Sequence, residues 1–186
     1  MRIRFILSLL AIVALAAPAA AGGVRAQVDT VGFATRWADL LACLETARAQ
    51  EGLLPLDEVL GAAETEPWTA AILPHDDYLY AAKTIVPMLP GLQARTWVIF
   101  GVCHACRREG VRDALLLDDF DAWRVAGLEI PGAADLRDRL LHDLPDGMVS
   151  VDRGRHAAEH SVEALLPWLR AVQPDVQGGP ILVPGM

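Results

Sequence analysis

Hydrophobic positions recur along this chain with helical spacing in some segments and with the character of short strands in others. Between Thr30 and Gln50 the apolar residues fall at helical spacing with arginine and glutamate between them, which predicts one amphipathic helix. Cys43 lies beside the apolar stripe of this segment. We expect Cys43 to be a small buried hydrophobic residue rather than a ligand.

Two apolar runs in the middle of the chain have the composition of buried strands. Trp68–Leu73 is short, whereas Arg95–Val102 is richer in β-branched and aromatic residues. The segment Tyr78–Leu89 between them predicts a helix, and the order strand, helix, strand favours a parallel pair. His75 and His104 each follow one of these predicted strands closely. Since ligands in α/β proteins bind beyond the carboxyl ends of strands, both histidines are candidate site residues.

The alternation of elements continues to the end of the sequence. A short apolar run spans Ala114–Leu117, helices are predicted over Ala133–Leu141 and Ala158–Val172, and Pro180–Pro184 predicts a last strand. This order indicates an α/β fold, in which helices cover both faces of a mostly parallel or mixed sheet in three layers. We predict one domain over residues 27–186.

The first residues have the pattern of a secretory signal peptide. Positive charge in Met1–Arg4 precedes an apolar run over Phe5–Ala17, which is too short for an ordinary transmembrane helix. Small residues permit cleavage after Ala21 or after Ala26. The expected mature protein is exported, periplasmic or secreted, without a membrane span. Its formal net charge of −8 argues against a nucleic-acid partner.

The stretch Cys103-His104-Ala105-Cys106 allows several interpretations. Haem attachment would require a histidine where Arg107 stands, and a structural zinc site would require more ligands than Cys43 supplies. A thiol-disulfide redox pair at a helix N-terminus would lower the pKa of Cys103, and an incidental pair would form a disulfide in the exported protein. Both of these interpretations stay open at this point.

Three motifs together resemble the Memo-like family, also called AmmeMemoRadiSam system protein B. They are LPHDDYLYAA (residues 73–82), His104 after its strand, and HAAEHSVEALLPWLR (residues 156–170). The third motif is the most specific, because Glu159, His160, Ser161 and Glu163 stand where the family has the same residues. The resemblance covers about residues 68–183.

The resemblance implies the fold of class III extradiol dioxygenases and a non-haem metal site, with iron expected first and copper or zinc as alternatives. His75 and His104 look like the metal ligands, and imidazole suits all three metals. His160 with Glu159 is the expected proton donor or acceptor. The resemblance implies metal-dependent redox or dioxygenase-like activity on a small-molecule substrate, without indicating ring cleavage.

Several positions depart from the family pattern. Asp76 follows His75 where the family has alanine, and Asp76 could orient His75 or ligate the metal. Cys103 precedes His104 and could modify the metal sphere. Arg107 and Arg108 could steer an anionic substrate toward the site, although their spacing does not require it.

Other features of the sequence keep different functions open. In the family the chain continues past the strand matching PILVPGM and carries another histidine and a cysteine of the site, so the resemblance implies an incomplete site in a sequence that stops at Met186. A non-catalytic scaffold and a thiol-disulfide protein using Cys103 and Cys106 therefore remain alternatives. His142 and His156 are expected at the surface, outside the site.

Overall fold

The computed structural model describes residues 22–53, 55, 57–58 and 67–185. The apolar part of the predicted signal peptide, Phe5–Ala17, lies outside the described residues. Within the described residues, no helix is long and apolar enough to cross a membrane.

Helices and strands alternate along the described chain. The α-helices are α1 (Trp37–Gln50), α2 (Tyr78–Ile85), α3 (Ala134–Asp143), α4 (Arg153–Ala158) and α5 (Leu166–Val172). A 3₁₀-helix, Val86–Gly91, directly follows α2. The strands are β1 (Val24–Arg25), β2 (Thr96–Val102), β3 (Leu115–Leu117), β4 (Ala122–Val125), β5 (Leu128–Pro131), β6 (Val149–Val151) and β7 (Gln177–Val183).

The strands form two mixed sheets. The larger sheet has the order β2-β7-β3-β6, in which β2 is parallel to β7, β7 is antiparallel to β3 and β3 is parallel to β6. The smaller sheet has the order β1-β4-β5, with β1 parallel to β4 and a β4–β5 hairpin. The β2–β7 pair is the longest ladder and runs from Thr96 opposite Gln177 to Val102 opposite Val183.

Two successive glycines of β7 show that helices lie on both faces of the larger sheet. A Cβ atom added to Gly178 would meet the side chain of Leu166 in α5, whereas one added to Gly179 would meet Leu136 in α3. Because successive residues of a strand point to opposite faces, α5 and α3 cover opposite sides of β7. The predicted α/β fold with helices on both faces is therefore confirmed.

The predicted helices and strands with the clearest patterns are present. The helix expected within Thr30–Gln50 begins at Trp37, and Leu40 and Leu44 of its apolar stripe are fully buried. The helix expected over Tyr78–Leu89 is α2 followed by the 3₁₀-helix. Both strongly apolar strand predictions, β2 and β7, are confirmed within a few residues.

The predicted strand Trp68–Leu73 is wrong, because this segment lies beside the core as irregular chain. Trp68 is anchored to Gly91 instead of to a strand: its backbone N–H donates to the Gly91 carbonyl at 2.9 Å, and its ring covers the space that a Gly91 side chain would occupy. The segment therefore has no strand partner, and β2 pairs in parallel with β7 rather than with it. The apolar composition of a short run does not show whether the run pairs as a strand or packs as irregular chain.

The predicted helix Ala158–Val172 is also wrong in its first half. Helix α4 ends at Ala158, Glu159 is extended with φ −96° and ψ 137°, and α5 begins only at Leu166. The Glu159 carboxylate accepts hydrogen bonds from the backbone N–H groups of His160 and Ser161, both at 2.9 Å. These bonds replace helical ones, so the chain turns here and carries Glu159 and His160 in a loop.

Candidate metal site

Three histidines from distant parts of the sequence meet at one end of the larger sheet. His75 lies just before α2, His104 follows β2, and His160 lies in the loop between α4 and α5. One ring nitrogen of each lies within 4.8 Å of those of the other two, close enough to hold a metal ion. The rings of His104 and His160 are stacked at 4.9 Å, and His75 lies 5.4 Å from His104 between centroids.

The ring of His104 is held in a defined orientation by Glu159. Nδ1 of His104 and Oε1 of Glu159 are 2.8 Å apart, and the His104 backbone N–H donates to Oε2 at 2.9 Å. An ionised carboxylate only accepts hydrogen bonds, which assigns the proton of neutral His104 to Nδ1. The Nε2 lone pair is then free to bind a metal, as in carboxylate–histidine–metal arrangements.

The surroundings of Glu159 keep its carboxylate ionised. Burial raises the pKa of Glu159. Hydrogen bonds from the backbone N–H groups of Ser161 and His104 and from the His104 ring lower the pKa by more than burial raises it, so the pKa lies below its usual value. Glu159 is only 5% exposed. It therefore combines a buried negative charge with a full set of donors, which suits a residue that orients a neighbouring imidazole.

The loop that carries His160 packs closely on the end of β2. The Ser161 hydroxyl donates to the Val102 carbonyl at 2.9 Å. A Cβ atom at Gly101 would meet the side chains of both Ser161 and Val162, so glycine at this position allows the loop to approach the strand. This contact brings His160 beside His104, which leaves the same strand end.

A buried ion pair braces the other side of the same loop. Arg25 and Glu163 are 1% and 2% exposed and form a salt bridge, and the Arg25 guanidinium also donates to the carbonyls of His156 and Glu159. The two Glu163 oxygens accept hydrogen bonds from the backbone N–H groups of Val28 and Asp29. The N-terminal segment is thereby fixed next to the site, with Asp29 Oδ2 at 3.9 Å from His160 Nδ1.

His75 is placed by the loop that leads into α2. The backbone N–H of Tyr78 donates to the Gly32 carbonyl at 2.9 Å, which joins this loop to the N-terminal segment. The pKa of His75 is lowered, first by burial and then by the nearby His104 and His160. The neutral imidazole that a metal requires is therefore the favoured form of His75.

The three side chains fit a metal ion in number and chemistry. Bonds from imidazole nitrogen to a first-row metal are about 2.1 Å long, so nitrogens that share one ion lie about 3 to 3.4 Å apart. The ring nitrogens lie within 4.8 Å of one another, so binding one ion would bring them closer together. Three nitrogen ligands leave further coordination positions for water or substrate.

The remaining sequence candidates lie near the histidines without joining the donor set. Asp76 is exposed, and its Oδ1 accepts a hydrogen bond from the backbone N–H of Asp77 at 2.7 Å. Cys103 forms a disulfide with Cys106 and therefore offers no thiolate. Residues 104–110 form turns rather than a helix, so Cys103 lacks the helix N-terminus expected for a reactive thiol.

The two histidines expected at the surface behave differently. The side chain of His142 is 87% exposed, as predicted. His156 is fully buried, which contradicts the prediction, and its Nε2–H donates to the Leu116 carbonyl at 2.9 Å. Burial lowers the pKa of His156 to about 4. The sequence before the site motif is polar, so only the packing of α4 against β3 reveals this burial.

Three residues have positions at the site that the sequence pattern does not reveal. His160, expected as a proton donor or acceptor, lies with the two predicted ligands. Arg25 and Asp29 contact residues more than a hundred positions away, and nothing near them in the sequence indicates these partners. The only available signal for His160 was its place in the third family motif.

Comparison with known proteins adds no assignment: no protein-family model matches this chain, and no curated protein matches it. A functional proposal therefore depends on the residues of the site, their geometry and the resemblance of the three motifs.

Proposed function

We propose that this chain is an exported Memo-like protein whose His75, His104 and His160 bind one redox-active or divalent metal ion. The observation that carries the proposal is the convergence of the three imidazoles within 4.8 Å, one of them oriented by a buried carboxylate. The proposed activity is metal-dependent redox or dioxygenase-like chemistry on a small molecule. A structural role alone would not require three imidazoles facing one another at a partly open position.

The Memo-like assignment is supported by the roles that the motif residues take. Each of the three motifs contributes one histidine to the cluster, although the motifs are far apart in the sequence. In the third motif, Glu159 orients His104, Ser161 anchors the loop to β2, and Glu163 pairs with buried Arg25. The four polar residues that match the family motif, Glu159, His160, Ser161 and Glu163, thus each have a role in building one site.

The residues have distinct tasks in this proposal. His160 acts as a ligand in place of the proton transfer expected from sequence, and Glu159 positions His104 through the Nδ1–H hydrogen bond. The buried Glu163 carboxylate holds the N-terminal segment against the His160 loop. When bound, the metal would supply open coordination positions and, for iron or copper, a redox couple.

Iron is the first expectation for the metal, and copper and zinc are the alternatives. An all-imidazole set suits Fe(II), Cu(II) and Zn(II), and the disulfide at Cys103 removes the soft thiolate that would favour Cu(I). A three-histidine set is also a known catalytic zinc arrangement. Elemental analysis of the purified protein distinguishes the three metals directly.

The test compares the metal content of four purified proteins: the wild type, His160→Ala, the double variant His75→Ala with His104→Ala, and His142→Ala. The control removes an exposed histidine outside the cluster. We expect near-stoichiometric metal in the wild type and the control, and loss in the other two. Circular dichroism and thermal unfolding establish that each variant is folded.

Two outcomes would contradict the proposal. Unchanged metal content in the folded double variant would place any bound metal elsewhere. The absence of metal from the wild type, purified anaerobically without an affinity tag and then incubated with Fe(II), Cu(II) or Zn(II), would favour the non-catalytic scaffold instead.

A further inference from the structure

A cavity of about 420 Å³ opens beside two of the three site histidines. Its wall includes His104, His160 and Glu159 together with Arg108 and Arg155. This volume falls within the usual range for small-molecule binding sites. The cavity therefore provides room for a small organic molecule in direct reach of the proposed metal position.

Most charged groups of this cavity already have partners. Arg155 pairs with Asp152 and, at 2.6 Å, with Glu109. Glu159 accepts hydrogen bonds from His104, His160 and Ser161. With neutral histidines, Arg155 and the three carboxylates Glu109, Asp152 and Glu159 carry a net charge of −2, so this part of the wall does not by itself attract an anion.

Arg108 differs from the other charged residues of the cavity. It is exposed, it lines the cavity, and among the described residues its guanidinium has no ion pair or hydrogen bond. The whole chain carries a formal net charge of −8, which by itself repels anions. Within the described part of the chain, Arg108 therefore places an unpaired positive charge at the cavity wall of a protein whose net charge is negative.

The loop that carries Arg108 is fixed at both ends. The Cys103–Cys106 disulfide closes its first turn, and the backbone N–H of Val111 donates to the Cys106 carbonyl at 3.0 Å. The salt bridge from Glu109 to Arg155 joins the residue next to Arg108 to α4. These contacts hold the backbone of Arg108 in place while its side chain stays free to reach a ligand.

We propose that this cavity binds a small organic carboxylate, with the carboxylate paired to Arg108 and the rest of the molecule beside the histidine cluster. The guanidinium group is planar and presents paired donors that match the two oxygens of a carboxylate. The inference rests on the proposed metal function and adds the substrate class to it. It also assigns a role to the Cys103–Cys106 disulfide, which is to fix the loop that carries Arg108.

Benzoate and benzamide are suitable probes, because they have nearly the same shape and only benzoate is charged. The protein is loaded with Co(II), and paramagnetic relaxation of the probe ring protons reports binding near the metal. Arg108→Gln removes the proposed partner, and Arg107→Gln is the matched control, since Arg107 is an exposed neighbour that does not line the cavity. We expect benzoate to bind, benzamide to bind more weakly, and Arg108→Gln alone to weaken benzoate about five- to tenfold.

Equal binding of benzoate and benzamide, or equal weakening by the two arginine variants, would overturn the carboxylate proposal. The visible spectrum of bound Co(II) reports separately whether the histidine cluster holds a metal. If it does not, saturation-transfer measurements of benzoate on the metal-free chain decide the matter. If benzoate binds the metal-free chain and only Arg108→Gln weakens that binding, the carboxylate site stands without the metal function. If benzoate does not bind, the carboxylate site and the metal function are both contradicted.

Discussion

Glu159 contacts His104 at two points, through the ring nitrogen Nδ1 at 2.8 Å and through the backbone N–H at 2.9 Å. The side chain and the backbone of one proposed ligand are therefore fixed by the same carboxylate. Because Glu159 also accepts a hydrogen bond from the backbone N–H of His160, it contacts two neighbouring proposed ligands.

The first prediction concerns Glu159→Gln. The amide lacks the charge that favours the Nδ1–H form of His104, so we expect metal affinity to fall about 10- to 100-fold, with the fold retained. Competition with a chromophoric chelator measures the affinity. Glu129→Gln is the control, since Glu129 is exposed and pairs with Arg124 on the β4–β5 hairpin. Equal affinity in the two variants would show that Glu159 does not position His104.

The second prediction concerns the N-terminus that remains if the predicted signal peptide is removed. Cleavage after Ala26 would remove Arg25, the buried partner of Glu163, whereas cleavage after Ala21 would keep it. An unpaired buried charge costs about 3–5 kcal/mol, so we expect the stable mature chain to begin at Gly22. Intact-mass measurement on the mature protein, expressed with its predicted signal peptide in a bacterial host, identifies its first residue. A mature chain beginning at Gln27 would contradict this expectation.

The third prediction concerns stability in acid. His156 has a pKa of about 4 when folded and the ordinary value of 6.5 when unfolded, so the unfolded chain binds the proton more readily. The stability contributed by neutral His156 is full above pH 6.5 and is lost as the pH falls toward 4. We expect the free energy of unfolding to drop by about 2 to 3 kcal/mol more in the wild type than in His156→Gln between pH 7 and 4.5.

Urea unfolding at both pH values measures this difference. The glutamine can still donate a hydrogen bond to the Leu116 carbonyl, so the comparison isolates the titration of the imidazole. Parallel pH profiles in the two proteins would mean that His156 does not control acid stability.

The fourth prediction separates the metal function from thiol chemistry. Cys103→Ser with Cys106→Ser removes the buried disulfide, and the short loop that it closes suggests a loss of about 2 kcal/mol of stability. We expect the metal content to stay unchanged, because neither sulfur belongs to the histidine cluster. Dithiol titration of the wild type against a redox buffer is the complementary measurement. A readily reversible dithiol together with absent metal would support the thiol-disulfide alternative.

Several elements were predictable because their patterns are local. The leucines of α1 repeat at helical spacing, and β2 and β7 contain short continuous apolar runs, so their burial follows from the hydrophobic effect. The segment Trp68–Leu73 was not predictable in this way, since a strand exists only when a partner accepts its hydrogen bonds. The loop at Glu159 likewise depends on a side chain that competes with helical hydrogen bonding.

The residues of the site also fall into two groups: those that the local sequence indicated and those that only the fold brought together. From the sequence by itself, His75 and His104 were candidate ligands through the resemblance of their motifs. The argument from strand ends holds for His104 only, because the segment before His75 is irregular chain and not a strand. Only the tertiary structure decided that His160 joins them, that Glu159 orients His104, and that Arg25 braces Glu163. These relations join residues far apart along the chain, and such contacts exist only after the sheet register and the loop packing have brought the segments together.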